Sequence, residues 1–342
     1  MEQQKILSQR LLTIAFAVLS GIVFAIVAIR CATVPFNFDE TETFYNFIQQ
    51  GSFLPYLSHL DAGNHVLNSF LSWICFKTFG DSPFSLRLPN LLALIVLISA
   101  VARISRNLNQ LHSKLILIAG FLLSFHWLSF YSVCRGYGLS MSFLILGISY
   151  LIEYFNSKKF KKLILFYLCI QLTICASQAV LVVAVILTIA VIFFQFSQKV
   201  LLKKSNIFLL IAHISLLFFW AKFSLFLQTN GALYLGENNT YWNNTFLSLV
   251  DQLTGSSRIL IPYFIISAAI VLVILSITMN YKKVKHNFLY VFTPSLFYTL
   301  ILISLIIAVY AMNLLLNVNY PQNRAFFRLC SKVHVYCSKM HF

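Results

Sequence analysis

The sequence predicts an all-α polytopic membrane protein with about nine transmembrane helices and with juxtamembrane helices in its first outer loop. Hydrophobic residues make up 59% of the 342 residues and charged residues only 10%, whereas a soluble domain carries about 25% charged residues. The apolar residues also fall into runs close to the length of about 20 residues that a helix needs to cross a bilayer. These two observations exclude a soluble globular fold.

Nine apolar runs are the candidate spans. They cover residues 11–29, 84–102, 115–133, 139–155, 163–176, 179–196, 207–227, 259–279 and 288–316. The first run follows Lys5 and Arg10 and has no small-x-small cleavage site after it, which predicts an uncleaved first span. A further apolar segment, 65–79, is short for a span and suits a helix that lies in the membrane interface.

Four basic loops determine the predicted orientation. They contain Arg103, Arg106 and Lys114; Lys158, Lys159, Lys161 and Lys162; Lys199, Lys203 and Lys204; and Lys282, Lys283 and Lys285. If segment 65–79 does not cross, all four lie on the side of the amino terminus, which the positive-inside rule makes cytoplasmic. We therefore predict a multi-pass protein of the cytoplasmic (inner) membrane, and we interpret the net charge of +16 as loop charge, not as a nucleic-acid surface.

This orientation places the chemically interesting residues on the outer side. The first outer loop contains Asp39, Glu40 and Glu42 directly after the first span. A partly desolvated carboxylate at the mouth of a membrane cavity can act as a general base or hold a divalent cation. Ordinary solvated loop acids are the alternative interpretation of the same pattern.

Further polar residues follow in the same loop. Asp61, Asn64 and His65 precede the short helix, and Asn64 and Asn68 share one helix face. A single histidine of this kind is more often an interfacial hydrogen-bonding group than a metal ligand. Together with Glu40, however, Asp61 and His65 are the residues that could hold a metal ion.

Two arginines lie at outer ends of predicted spans. Arg135, with Tyr137 close by, lies between the third and fourth spans, and Arg324 follows the ninth. An arginine at the membrane boundary is costly unless it meets an anion, and the fork of the guanidinium matches a phosphate. Each arginine could therefore bind a substrate phosphate or extend to an ordinary lipid headgroup.

At these residues the sequence resembles the GT-C membrane glycosyltransferases, the superfamily that includes protein O-mannosyltransferases and the transferase that adds aminoarabinose to lipid A. Asp39-Glu40 corresponds to the family's Asp-Glu pair. Residues 64–90 resemble its His-Pro-Pro-Leu type segment, juxtamembrane helix, Phe-Gly-x-Ser and Leu-Arg-Leu-Pro, and residues 134–140 also match bacterial members in order and spacing. The resemblance covers most of the chain, and we assign 1–326 to one transferase domain.

The resemblance implies transfer of a sugar from a polyprenyl-phosphate carrier to a lipid, glycan or protein acceptor at the outer membrane face, by one inverting displacement. In that scheme Asp39 is the base, Glu40 is its neighbour or a metal-binding partner, and Arg135 and Arg324 clamp the phosphate. The substrate-binding candidates are Asp61, Asn64, His65, Arg135, Tyr137 and Arg324. The expected partners are membrane lipids and the lipid-linked donor, with a divalent metal ion as a candidate cofactor.

The sequence departs from the family at three places. Ser140 stands where some relatives have a second acid, and His65 stands near where some have a lysine. Relatives usually continue with further spans, whereas residues 327–342 include Arg328 and Lys332 and cannot cross a bilayer. We therefore expect that this tail is a truncated or frame-shifted reading.

Two other classes of function are compatible with the same architecture. A membrane transporter or flippase of lipid-linked or small polar substrates would need charges within its spans. The runs contain few charges: Arg87 and Glu153 lie near their ends, and Lys222 lies deeper. A structural membrane protein that only inherits the fold is the third alternative.

Overall fold

The computed structural model describes residues 2–108 and 110–232, together with scattered single positions between 247 and 314. The chain divides into two units, Met1–Leu233 and Tyr234–Phe342, and the elements below belong to the first. The α-helices of residues 2–108 and 110–232 are α1 (Glu2–Thr33), α2 (Phe38–Thr43), α3 (Val66–Phe79), α4 (Pro83–Arg106), α5 (Leu111–Leu122), α6 (Phe125–Ser129), α7 (Tyr137–Ser157), α8 (Phe160–Ala176), α9 (Leu181–Ser197) and α10 (Lys204–Thr229).

Several of these helices are suited to a membrane. By length and composition, the stretches that could cross one are Arg10–Thr33, Pro83–Arg106, Tyr137–Ser157, Gln178–Ser197 and Lys204–Thr229. Within the described residues the structure is helical with several candidate membrane spans, which confirms this part of the predicted architecture. The α8 helix has 17 residues and would extend over about 26 Å. Predicted runs 259–279 and 288–316 lie outside the two described ranges, so the total of nine spans stays a prediction.

The third predicted run, 115–133, is not one continuous helix. The α5 helix ends at Leu122, Ser124 has an extended backbone (φ −79°, ψ 97°), and α6 is followed by a 3₁₀ turn, Phe130–Ser132. The hydroxyl of Ser132 donates to the carbonyl oxygen of Ser129 at 2.8 Å. Serine side chains that bond the local backbone compete with helical hydrogen bonds, as Ser132 does in the 3₁₀ turn.

The first outer loop is held in place by contacts with distant parts of the chain. Helix α3, Val66–Phe79, is short, as predicted for segment 65–79. Before it, Tyr56 has a positive φ of 66°, and its ring lies 5.0–5.9 Å from the rings of three α10 residues, Phe219, Phe223 and Phe226. The Ala62 N–H also donates to the carbonyl oxygen of Ala232 at 3.1 Å. The loop is therefore attached to the end of α10.

The core of the first unit lies along α4, which packs against α1 and α7. Leu94 and Leu97 of α4 share a buried cluster with Val27 of α1 and Leu139 of α7. Helix α7 also lies close to α8, since a Cβ at Gly147 would be 3.2 Å from the Cβ of Cys169. The outer side of α1 is exposed along Leu11, Ile14, Val18, Ile22, Ile26 and Ile29, as expected of a helix that faces lipid.

Helix ends that the sequence predicts on the same side of the membrane are in contact in the structure. The Glu153 carboxylate, near the end of α7, is 2.6 Å from Arg103 of α4 and 2.5 Å from Lys162 of α8. At the opposite end of these helices, Arg87 of α4 and Ala176 of α8 both bond residues of the first outer loop. The positive-inside rule predicts which end faces the cytoplasm.

Candidate active site

Asp39 and Glu40 lie side by side in the first turn of α2 but face different surroundings. Asn37 caps this helix: its side-chain oxygen accepts from the Glu40 N–H at 2.9 Å, and its own N–H donates to Glu40 Oε2 at 3.1 Å. This reciprocal capping box fixes the start of a helix that is only six residues long. The Asp39 side chain is 40% exposed and that of Glu40 only 1%. Asp39 is therefore accessible to a substrate, whereas Glu40 is enclosed.

Glu40 is held by the protein on both carboxylate oxygens. Arg87 donates to Oε1 and to Oε2, each at 2.8 Å, and the Cys134 N–H donates to Oε1 at 2.6 Å. Arg87 also donates to the carbonyl oxygens of Cys31, Val34 and Pro35. This arrangement suits a residue that positions α2 against α4, and it leaves Glu40 poorly placed to bind a metal ion.

Arg135 lies directly beside the candidate base. Arg135 Nη2 lies 3.9 Å from Asp39 Oδ2. Arg135 Nη1 donates to Thr43 Oγ1 at 3.1 Å. The Arg135 side chain is only 12% exposed, and its Nε is buried with no partner in the part of the chain that the structure describes. The guanidinium can still donate from Nη2 to a further anionic or hydroxyl oxygen.

His65 is buried behind Arg135. Its Nδ1 is 2.8 Å from the carbonyl oxygen of Ala176, so Nδ1 carries the proton and Nε2 is an acceptor. Burial, reinforced by the positive charge of Arg135, lowers the pKa of His65 to about 3. A neutral imidazole in this tautomer cannot donate from Nε2 to a phosphate. Nε2 has no partner among the described residues.

Gly136 allows His65 and Arg135 to come together. A Cβ at Gly136 would overlap the carbonyl oxygen of Ala176 and would lie 2.8 Å from the Cβ of His65. Tyr137, the next residue, begins α7 and packs edge-on against the His65 ring, with the centroids 4.8 Å apart. The motif 134–138 therefore brings the amino end of α7 against both the outer loop and the end of α8.

The remaining predicted loop residues take different positions. Asp61 accepts a hydrogen bond from the Gly63 N–H, and a Cβ at Gly63 would lie 3.2 Å from Arg135 Nη1, so this turn adjoins the arginine. Asn64 is buried, donates to the carbonyl oxygen of Phe53 and accepts from Ser69, and thus organises the loop.

A third acid, Glu42, belongs to the same region. Partial burial raises the pKa of Glu42, and the nearby carboxylates of Asp61 and Asp39 raise it further, while Arg135 opposes them.

The structure thus brings together Asp39, Asp61, His65, Arg135 and Tyr137 of the predicted site. Arg324 lies outside the described residues.

The side chain of Cys134 is buried in the protein. Its Sγ lies 3.5 Å from Ser72 Oγ, which itself donates to the carbonyl oxygen of Leu86 at 2.8 Å. Burial raises the pKa of the Cys134 thiol to about 11, so the thiol stays protonated and is a poor nucleophile. Its main contribution to the site is the backbone N–H that binds Glu40.

The metal ion expected from the sequence stays a prediction. Within 2–108 and 110–232, no three His, Cys, Asp or Glu side chains are grouped closely enough to hold one. The carboxylate of Glu40 is already occupied by Arg87 and Cys134.

Sequence reasoning did not identify two contributors to this site. The pairing of Glu40 with Arg87 joins positions far apart in the chain, and no local pattern encodes it. Thr43, which bonds Arg135, lies one turn after Asp39 on α2, so helical spacing could have indicated it.

The fold and the site define a helical membrane protein in which an accessible aspartate, a buried arginine and a neutral histidine meet at one end of the helices. No protein-family model, curated protein or solved structure matches the chain.

Proposed function

We propose that the chain is a membrane glycosyltransferase that moves a sugar from a polyprenyl-phosphate carrier to a lipid, glycan or protein acceptor at the outer face of the cytoplasmic membrane. The observation that supports this most is the position of Asp39, whose carboxylate is 40% exposed and 3.9 Å from the buried Arg135. A base beside a phosphate-binding cation is the minimum that such a transfer needs, because the donor already has a good leaving group.

The proposed reaction is a single displacement. Asp39 takes the proton of the acceptor hydroxyl or amine as its lone pair attacks the anomeric carbon. The bond between that carbon and the phosphate oxygen breaks with inversion, and polyprenyl phosphate leaves with the bonding pair. Arg135, through its Nη2, neutralises the charge that develops on the leaving phosphate.

His65 and Glu40 have supporting roles in this proposal. His65 bonds the Ala176 carbonyl oxygen and packs against the ring of Tyr137, and it thereby holds the segment that carries Arg135 against the end of α8. Glu40 holds α2 in place through Arg87, and it thereby fixes the direction of the Asp39 side chain. Neither residue takes part in bond making.

The transport alternative has weaker support in the described residues. Lys222, the charge predicted to lie deepest in a span, is exposed on α10, with its Nζ 4.9 Å from the centroid of the Phe218 ring. A lysine on the outside of its helix, over a neighbouring ring, suits lipid-facing packing better than an ion pathway.

The test is transfer by purified protein in liposomes, with a panel of polyprenyl-phosphate sugars and release of polyprenyl phosphate as the readout. We expect Asp39→Asn to reduce transfer by about 100-fold or more, since a general base contributes roughly 10²–10⁴-fold. The matched control is Asp81→Asn, which neutralises another exposed aspartate of the outer loop. No turnover by the unmodified protein with any donor, or full activity of Asp39→Asn, contradicts the proposal.

The side of the membrane is tested separately. In intact cells, and in a background whose native cysteines are replaced by alanine, a membrane-impermeant maleimide should label Asp81→Cys from the outside. It should not label Lys161→Cys, in the predicted cytoplasmic loop, until the membrane is permeabilised. The reverse pattern places Asp39 in the cytosol and removes the proposed encounter with an outward-facing lipid-linked sugar.

A further inference from the structure

Two cations share one carboxylate at the basic end of the helices. Arg103 lies in the last turn of α4, Glu153 near the end of α7 and Lys162 in the first turn of α8. The Glu153 carboxylate is 2.6 Å from Arg103 Nη2 and 2.5 Å from Lys162 Nζ. One acid cannot neutralise both, so the group has a net charge of about +1 at neutral pH.

An aromatic ring fixes the two cations next to each other. Arg103 Cζ is 4.4 Å and Lys162 Nζ is 5.3 Å from the centroid of Tyr150, which lies on α7. A ring face attracts each cation and limits its freedom. Arg103, Glu153, Lys162 and Tyr150 therefore form a preorganised group, which we call the basic-end cluster.

The basic-end cluster has donors to spare. Arg103 bonds Glu153 through Nη2 and has a second terminal nitrogen, Nη1, and Lys162 has further N–H groups beyond the bond to Glu153. The side chains of Arg103 and Lys162 are 29% and 27% exposed, so both reach the surface. The surrounding exposed cations are Arg106, Lys158, Lys159 and Lys161.

Its depth suits a lipid phosphate. Arg103 is three residues from the end of α4 and Glu153 four from the end of α7, which corresponds to about 5–6 Å inside the helix ends. Helix α8 starts at this end, and it has an exposed apolar stripe of Phe160, Ile164 and Leu168, which are four residues apart. A ligand with an anionic head and an apolar tail would meet both features.

We propose that the basic-end cluster binds the phosphodiester headgroup of an anionic phospholipid, with an acyl chain along the α8 stripe. Arg103 and Lys162 donate to the phosphate oxygens, and Glu153 holds the two cations in place when the lipid is absent. Free phosphate has the same headgroup chemistry but lacks the tail. This proposal is independent of the proposed transferase activity.

The test measures binding of phosphatidylglycerol to the purified protein in neutral detergent, by native mass spectrometry and thermal shift. Phosphatidylcholine with the same acyl chains is the reference lipid. We expect Arg103→Gln/Lys162→Gln to weaken phosphatidylglycerol binding about tenfold or more. The matched control, Lys199→Gln/Lys203→Gln/Lys204→Gln, neutralises three exposed lysines of another basic loop and should change binding by less than about threefold. An equal or larger loss in this control shows unspecific charge attraction and overturns the proposal.

Two further arms keep the test decisive if the double variant fails to fold. Glu153→Gln removes the competing carboxylate and should tighten phosphatidylglycerol binding, whereas weaker binding in this variant contradicts the proposed role of the cations. Inorganic phosphate at the same concentration should give no thermal shift. An equal shift with inorganic phosphate, or equal binding of the two lipids by the unmodified protein, also overturns the lipid assignment.

Discussion

The Arg87 guanidinium donates from Nε to Oε1 and from Nη2 to Oε2 of Glu40, and each of these hydrogen bonds is 2.8 Å long. Both side chains are almost fully buried, at 0% and 1% exposure. The pair joins the helix that carries Asp39 to α4, and it explains why an acid adjacent to the candidate base is not itself accessible.

Loss of the Glu40 charge should destabilise the protein strongly. Glu40→Gln leaves Arg87 buried without a counter-ion, and breaking a buried pair from one side costs about 3–5 kcal/mol. Thermal unfolding in detergent measures the effect.

The matched change Glu153→Gln affects an ion pair whose acid is 23% exposed. It should cost no more than about 1 kcal/mol without added lipid, because solvent screens such pairs. Equal losses of stability in Glu40→Gln and Glu153→Gln would show that the buried pair stabilises the protein no more than the partly exposed pair does.

Gly136→Ala should disrupt the junction of the outer loop with α7 and α8. The backbone of Gly136 (φ −69°, ψ 1°) suits any residue, so the effect is purely steric: the new methyl group meets the Ala176 carbonyl oxygen. Overpacking against backbone should cost about 3 kcal/mol or more. The control is Gly21→Ala, where nothing lies within 4 Å and the change should stay within about 1 kcal/mol. Similar unfolding temperatures for the two variants would contradict the tight contact.

His65 should make stability depend on pH in a defined direction. Its pKa is about 3 in the folded protein and 6.5 in its ordinary state, so below pH 6.5 the unfolded chain binds a proton that the folded protein does not. Stability is therefore lost as pH falls from about 6.5 towards 3, by up to about 1.4 kcal/mol per pH unit.

His65→Asn tests this dependence because an asparagine amide can still donate to the Ala176 carbonyl oxygen while it cannot titrate. The variant should have a smaller loss of unfolding temperature between pH 7 and pH 4.5 than the unmodified protein. Parallel curves for the two proteins would show that His65 is not buried in its neutral form.

Arg135→Lys should separate charge from geometry at the proposed site. A lysine keeps the positive charge but has no fork, so it cannot bond Thr43 and also present a second donor to a phosphate. We expect kcat/KM for transfer to fall about 10- to 100-fold, with a clear rise in KM for the lipid donor. Thr43→Val, which removes only the hydroxyl partner, should have a smaller effect. Unchanged donor kinetics in Arg135→Lys would remove this arginine from the phosphate site.

The sequence predicted the helical membrane architecture well because hydrophobic length and loop charge are local properties. The resemblance to the GT-C family placed Asp39, His65 and Arg135 among the candidate site residues. The prediction failed for run 115–133, where Ser124 and Ser132 lie in an apolar segment and the backbone leaves the helix. It did not foresee the enclosure of Glu40, because Arg87 reaches it across helices and pairings of this kind have no local signature.

The attachment of Tyr56 to Phe219, Phe223 and Phe226 has a consequence for biogenesis. The Asp-Glu pair leaves the ribosome early, but the α10 rings that hold the following stretch of the loop are made much later. During synthesis the loop carrying Asp61 and His65 therefore lacks this contact until α10 has been inserted. A nascent chain that ends before α10 would have its loop held only by contacts such as those with Arg87 of α4 and Ala176 of α8.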